Sequence, residues 1–169
     1  MIRRMTLNAS LTALALAIAY IEAMFPISAL ISLPGVKLGL SNVVGLMLII
    51  NNKTADAFIV TSLRCTLFAL LFTNTVSFVI SFLSALFAVL VMRIFSFITK
   101  HGFSYISVSI IGSAAFNLMQ ICVTSVIHGN AVFYYLPFLL LFSVFSGVFT
   151  GYLAVLLQGR LFMKKTGQE

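Results

Sequence analysis

Long apolar runs, broken only by short polar connections, recur along the whole chain and leave its backbone few ways to fold. Six can be marked: Met5–Phe25, Leu38–Ile50, Ala55–Phe72, Val76–Ile98, Ile106–Ile127 and Phe133–Leu157. Five are long enough to cross roughly 30 Å of hydrocarbon as helices rising about 1.5 Å per residue. The second has only 13 residues, so it is either a partial span or is completed by the irregular stretch before it. The apolar fraction of 62 % and charged fraction of 8 % exclude a soluble domain, since globular chains carry roughly 25 % charged residues. Short connections leave no room for a separate catalytic domain. The expectation is one all-α integral membrane domain over residues 1–169, a six-helix bundle with a short second helix.

Orientation follows from lysine and arginine. Arg3 and Arg4 precede the first run, Lys53 follows the second, and Arg93 and Lys100 fall at the fourth-to-fifth connection. Arg160, Lys164 and Lys165 follow the sixth. With six crossings all of these share one side, and the opposite connections, Thr73–Thr75 and His128–Val132, carry none. Only Lys37 breaks the pattern. The positive-inside bias puts both termini in the cytoplasm, with the chain in the bacterial cytoplasmic membrane. The net charge of +7 is scattered singly at helix ends, where topology and anionic headgroups account for it, so no nucleic-acid partner is implied. The first run is expected to stay as a helix, because no small-residue cleavage signature follows it. Cys65 and Cys122 lack CxxC spacing and read as small apolar fillers. His101 and His128 fall on opposite sides, so no metal site is expected.

The residues that do not belong in hydrocarbon are Glu22, Lys37, Asp56 and Arg64. A charge at bilayer depth costs several kcal/mol, and it faces a protein interior, a cavity or a partner charge. Arg64 falls near the middle of the third run, where snorkelling to either interface is hardest. Two readings stand. A Glu22–Arg64 or Glu22–Lys37 pair would satisfy both charges and fix the packing; alternatively Arg64 or Lys37 holds an anionic or carbonyl-bearing solute. Asp56, near the start of its helix, reads as an N-terminal dipole partner rather than a ligand.

Between the first two helices, Leu33-Pro34-Gly35-Val36-Lys37-Leu38-Gly39-Leu40-Ser41-Asn42 is the clearest local signature. Pro34 disfavours helix before it and Gly35 permits angles closed to other residues. An irregular outer loop over Ile27–Val36 should therefore lead into the short helix. Lys37 and Asn42 favour a loop that caps a pocket, since irregular backbone near the membrane needs protein or a wet cavity around it. On the fifth helix Ser113, Asn117, Gln120 and Thr124 share one face by their spacing. That stripe either bonds neighbouring helices or lines a cavity, with cavity lining favoured for Asn117 and Gln120. Two ladders of small residues let backbones approach closely. Ser143, Gly147 and Gly151 suit internal packing, whereas Ala9, Ala13 and Ala17 begin where a partner subunit could dock.

Enzyme signatures are missing: no GxSxG, HExxH or GxxxxGK[ST] occurs. With three acidic residues in all, a magnesium–diphosphate site is hard to build, because magnesium beside phosphates needs one or two carboxylates. No catalytic residue and no cofactor is expected.

Glu22-Ala23-Met24-Phe25-Pro26, the stretch from Leu33 to Asn42, Arg64, Asn117-Leu118-Met119-Gln120 and Tyr135-Leu136-Pro137 together resemble the bacterial Gx transporter family. Its members are labelled heptaprenyl diphosphate synthase component I. The likeness runs from about Thr6 to Leu157. One departure is Phe116, where the family is expected to carry a histidine; a solute- or proton-handling role for that histidine would be lost here. The family is in turn similar to the S components of energy-coupling factor importers, six-helix proteins with an outward-facing solute pocket. These dock on a transmembrane partner, energised by ATPase subunits, through small residues of the first helix, which Ala9, Ala13 and Ala17 match. The resemblance implies a solute-binding subunit for a vitamin or a prenyl or quinone precursor, with Glu22, Lys37, Asn42, Arg64, Asn117 and Gln120 at the site. It equally permits a non-catalytic accessory subunit of heptaprenyl diphosphate synthesis, or a component of quinone- or flavin-linked electron transfer.

Overall fold

The computed structural model describes residues 2–24, 39–72, 74–98 and 104–161, and they form helices and turns without a strand. Six α-helices follow one another: α1 (Ile2–Met24), α2 (Val43–Ile50), α3 (Thr54–Phe72), α4 (Thr75–Ile98), α5 (Tyr105–His128) and α6 (Leu136–Leu161). Short 3₁₀ segments, Leu40–Asn42 and Asn130–Tyr135, lead into α2 and α6. Five helices are long and apolar enough to cross a membrane, and Leu40–Ile50 is a shorter apolar segment. The chain is a multi-pass membrane protein by this pattern. The expected irregular loop at 27–36 and Lys37 lie outside the described residues.

Local chemistry explains where the helices stop. α2 ends in a Schellman motif: the Asn52 N–H donates to Ile49 O at 2.9 Å and the Lys53 N–H to Leu48 O at 2.8 Å. Asn52 takes the left-handed conformation (φ 55°) that this motif needs, and asparagine tolerates it better than most residues. The chain therefore reverses from α2 into α3 within three residues. Asn74 caps α4 by accepting the Ser77 N–H at 2.9 Å, and Ser104 caps α5 by accepting that of Ile106.

The short helix is the centre of the bundle. α2 packs against α1, α3, α4, α5 and α6, while the long helices pair as α1–α3, α3–α4, α4–α5 and α5–α6. Val43 to Ile49 are all buried, as expected of a helix apolar on every face. From Leu40 to Ile50 it measures about 16 Å, half the hydrocarbon thickness. It has no lipid face to match and so has no need of full span length. Beyond its N-terminal end the bundle interior is free to hold polar groups.

Gly147 and Gly151 show how closely α6 lies on α5. A Cβ at Gly147 would sit 2.5 Å from the Ile110 Cα, and one at Gly151 2.8 Å from the Ile106 Cα. The ladder on α6 is an internal packing device, with Ser143 also buried. Ala9, Ala13 and Ala17 are by contrast exposed, on the face of α1 turned away from buried Leu11, Ala15 and Ala19.

Candidate functional site

Arg64 lies ten residues into α3, about 15 Å from the helix start and near mid-span, and is only 6 % exposed. Its Nη1 donates to the Ser41 hydroxyl at the mouth of α2, and its Nη2 to the Cys65 sulfur at 3.2 Å. Both partners are neutral. Of the two pairings weighed for Glu22, the one with Arg64 is not formed and the one with Lys37 lies outside the described residues; an ion pair that the structure does describe is Arg4–Asp56. A guanidinium has five N–H donors, and holding one at mid-span without a carboxylate is costly.

Glu22, 5 % exposed, reaches across from α1 to the turn before α2. Its Oε1 accepts the Gly39 N–H at 2.6 Å. Gly39 holds φ +78°, and a Cβ there would lie 3.1 Å from Asn42 Nδ2 and 3.4 Å from the Phe116 ring. Only glycine fits that conformation without strain. The carboxylate thus ties the turn to α1, and the turn presents Ser41 to Arg64.

A cavity of about 20 Å³ opens at this point, with Gly39, Ser41, Arg64, Cys65 and Ser81 on its polar side. Phe68, Phe78 and Phe116 form the apolar walls. The Ser81 hydroxyl is buried without a hydrogen-bond partner among the described residues, as are both polar atoms of the Asn42 amide. Native interiors rarely leave such groups unsatisfied, and each one costs about 1–3 kcal/mol. Of these groups the Arg64 guanidinium and the Ser81 hydroxyl line the cavity, a pair that an anionic or carbonyl oxygen would satisfy, whereas Asn42 does not line it. Among the described residues no three His, Cys, Asp or Glu side chains converge as metal ligands would.

The sequence-derived residues fall into separate places. Glu22, Asn42 and Arg64 meet around Gly39 and Ser41. Asn117 and Gln120 are buried but do not line the cavity. The Asn117 amide donates to Leu139 O of α6 at 3.1 Å, and Thr124 to Gln120 O at 2.7 Å. Consecutive helical residues point about 100° apart, so α5 turns Phe116 to the cavity and Asn117 to α6. Phe116 is therefore a cavity wall.

Asp56 sits at the far end of α3, in its first turn, as the dipole reading requires. It also takes the Arg4 guanidinium at 2.8 Å and the Asn8 amide at 2.9 Å, pinning α1 to α3.

Sequence reasoning missed Ser41, Cys65 and Ser81 as parts of the site. One signal was available: Ser77, Ser81 and Ser84 recur at spacings of four and three, a hydroxyl face on α4. Cys65 gave no such signal, because its role as an acceptor depends on the arginine before it.

Comparison with known proteins gives one match. A family model described as heptaprenyl diphosphate synthase component I covers residues 11–157. Neither a curated protein nor a solved structure matches the chain.

Proposed function

The chain belongs to the heptaprenyl diphosphate synthase component I family, and we propose that it is a solute-binding membrane subunit of a small-molecule uptake system. In this reading the bundle is arranged like an energy-coupling factor S component, in the bacterial cytoplasmic membrane with both termini inside. The observation that carries it is Arg64: a mid-span guanidinium held by neutral groups beside a cavity, with unsatisfied Ser81 and Asn42 nearby. Such a constellation is stabilised when an anionic or carbonyl oxygen arrives, and a mostly apolar pocket with a few placed polar groups is the usual form of a small-molecule site. Glu22 then acts on the turn rather than on the solute, holding Gly39 so that Ser41 faces the ligand. A vitamin or a prenyl or quinone precursor carries groups of this kind.

The exposed Ala9, Ala13 and Ala17 suit docking on an energy-coupling transmembrane subunit, since small side chains let a second helix approach closely. Ala13→Trp should abolish complex formation while the protein stays folded; undiminished copurification of the partner would remove the docking role.

A second reading is favoured by the family's own description, a membrane accessory subunit of heptaprenyl diphosphate synthesis. The scarcity of carboxylates argues for a non-catalytic part in that case too. Mass spectrometry of small molecules that copurify with the detergent-extracted protein tests the binding role. A defined solute, lost in Arg64→Gln, is expected. Prenyl elongation by the purified chain alone, with magnesium, would overturn the non-catalytic reading.

A further inference from the structure

The cavity beside Arg64 and a larger groove share one wall. The groove, of about 200 Å³, lies between α3 and α4 near the α3–α4 turn, lined by Thr66, Ala69, Leu70, Asn74, Thr75 and Phe78. Phe78, half-buried, also lines the cavity, so its ring belongs to the walls of both spaces. It rests on Phe82 with ring centroids 5.3 Å apart, and it belongs to the first turn of α4. Towards α1 the situation differs. There Phe68, Phe72 and Tyr20 form a chain of rings, with successive centroids 5.3 and 5.1 Å apart, that links α3 to α1. Phe78 is thus the residue common to both spaces, and the groove is largely apolar, with Leu70 exposed on its rim.

We propose that the ligand is an amphiphile: a small acidic head, carboxylate or phosphate, held at Arg64 and Ser41, and a slender apolar tail passing Phe78 into the α3–α4 groove. The size of the cavity supports this. About 20 Å³ is little more than one water-sized space, so the group seated there is small and the rest of the ligand lies elsewhere. A solute dissolved in the bilayer reaches the groove laterally, and its tail exchanges lipid for Leu70 and Phe78 at little cost, because both are apolar. The head alone then supplies selectivity, through a desolvated guanidinium. This inference rests on Arg64 being a solute site, and the test below separates the two.

The chain contains no tryptophan, so Phe78→Trp places a single fluorophore at the shared wall. The variant, in nanodiscs of neutral phospholipid, is titrated with 6-bromododecanoate, whose bromine quenches tryptophan on contact. Saturable quenching is expected, with the half-saturation point raised about tenfold or more by Arg64→Gln and no saturation with the methyl ester. Quenching that rises linearly and is indifferent to Arg64→Gln would mean that bromine reaches the ring from bulk lipid, and would overturn the proposal. Benzoate, a carboxylate without a tail, is tested in parallel by thermal shift of the parent protein. Arg64-dependent protection by benzoate without saturable quenching by the bromo acid overturns the amphiphile and leaves the anion site standing. Failure of both probes to act through Arg64 overturns both readings. Dodecyl phosphate displacing the probe more tightly than dodecanoate supports the proposal with a phosphate head, and the reverse order supports it with a carboxylate. If Arg64→Gln does not fold, the ester comparison carries the test; if Phe78→Trp does not, Leu70→Trp on the groove rim replaces it.

Discussion

Gly147→Ala separates close helix packing from mere helix propensity. Within a helix the substitution favours folding by about 0.5–1 kcal/mol, because alanine has less backbone freedom to lose. Here the new methyl would stand 2.5 Å from the Ile110 Cα and 2.9 Å from its nitrogen, where ordinary contact begins at 3.4 Å. The obstructing atoms are backbone, so no side chain can swing aside. α6 must retreat from α5 by nearly the difference, 3.4 − 2.5 = 0.9 Å. A gap of that order forfeits a quarter to a half of each dispersion contact along the seam, and overpacking costs typically about 1–3 kcal/mol. The clash outweighs the propensity, leaving a net loss of about 1–2 kcal/mol. Unfolding in mixed micelles with increasing SDS, followed by circular dichroism, reads this as a lower midpoint. Ala13→Leu, on the exposed face of α1, should leave the midpoint unchanged to within about 0.5 kcal/mol. A Gly147→Ala protein as stable as the parent would refute the close α5–α6 approach and the division of labour between the two small-residue ladders.

Three other outcomes follow from the same contacts. Asn117→Ala removes the amide that holds Leu139 O, so it should lower stability by about 1 kcal/mol and leave solute affinity within twofold, whereas Arg64→Gln should do the reverse; equal loss of affinity in both would return Asn117 to the binding site. Asp56→Ala releases Arg4 and Asn8 together and should loosen the start of α1, seen as faster proteolysis there with the rest of the bundle intact; unchanged proteolysis would mean that the pairing does not hold α1. A cysteine at Asn130, in a Cys122→Ser background, should react with an impermeant maleimide only from outside the cell and one at Asn52 only from inside, and labelling in the opposite sense would invert the topology.

Much of the architecture was legible in one dimension. Apolar runs mark six helices because hydrocarbon forces each segment to satisfy its own backbone, and that constraint acts on consecutive residues. Capping asparagines and serines at Asn74 and Ser104 mark their ends for the same local reason. The 13-residue run was ambiguous, since its length said that it could not span alone and nothing in it said that five other helices enclose it. Pattern likewise named the residues that cannot face lipid without naming what each would meet. Glu22 had two plausible partners, Arg64 and Lys37, and among the described contacts it holds a backbone N–H seventeen residues away. Arg64 took a serine and a cysteine in place of a carboxylate, and Asn117 turned to α6 while its neighbour Phe116 turned to the cavity. Helical periodicity assigns a residue to a face. Which neighbour covers that face is set by how all six helices share the space around α2, a condition that couples residues as distant in the chain as Gly39 and Phe116 and leaves no trace in local sequence.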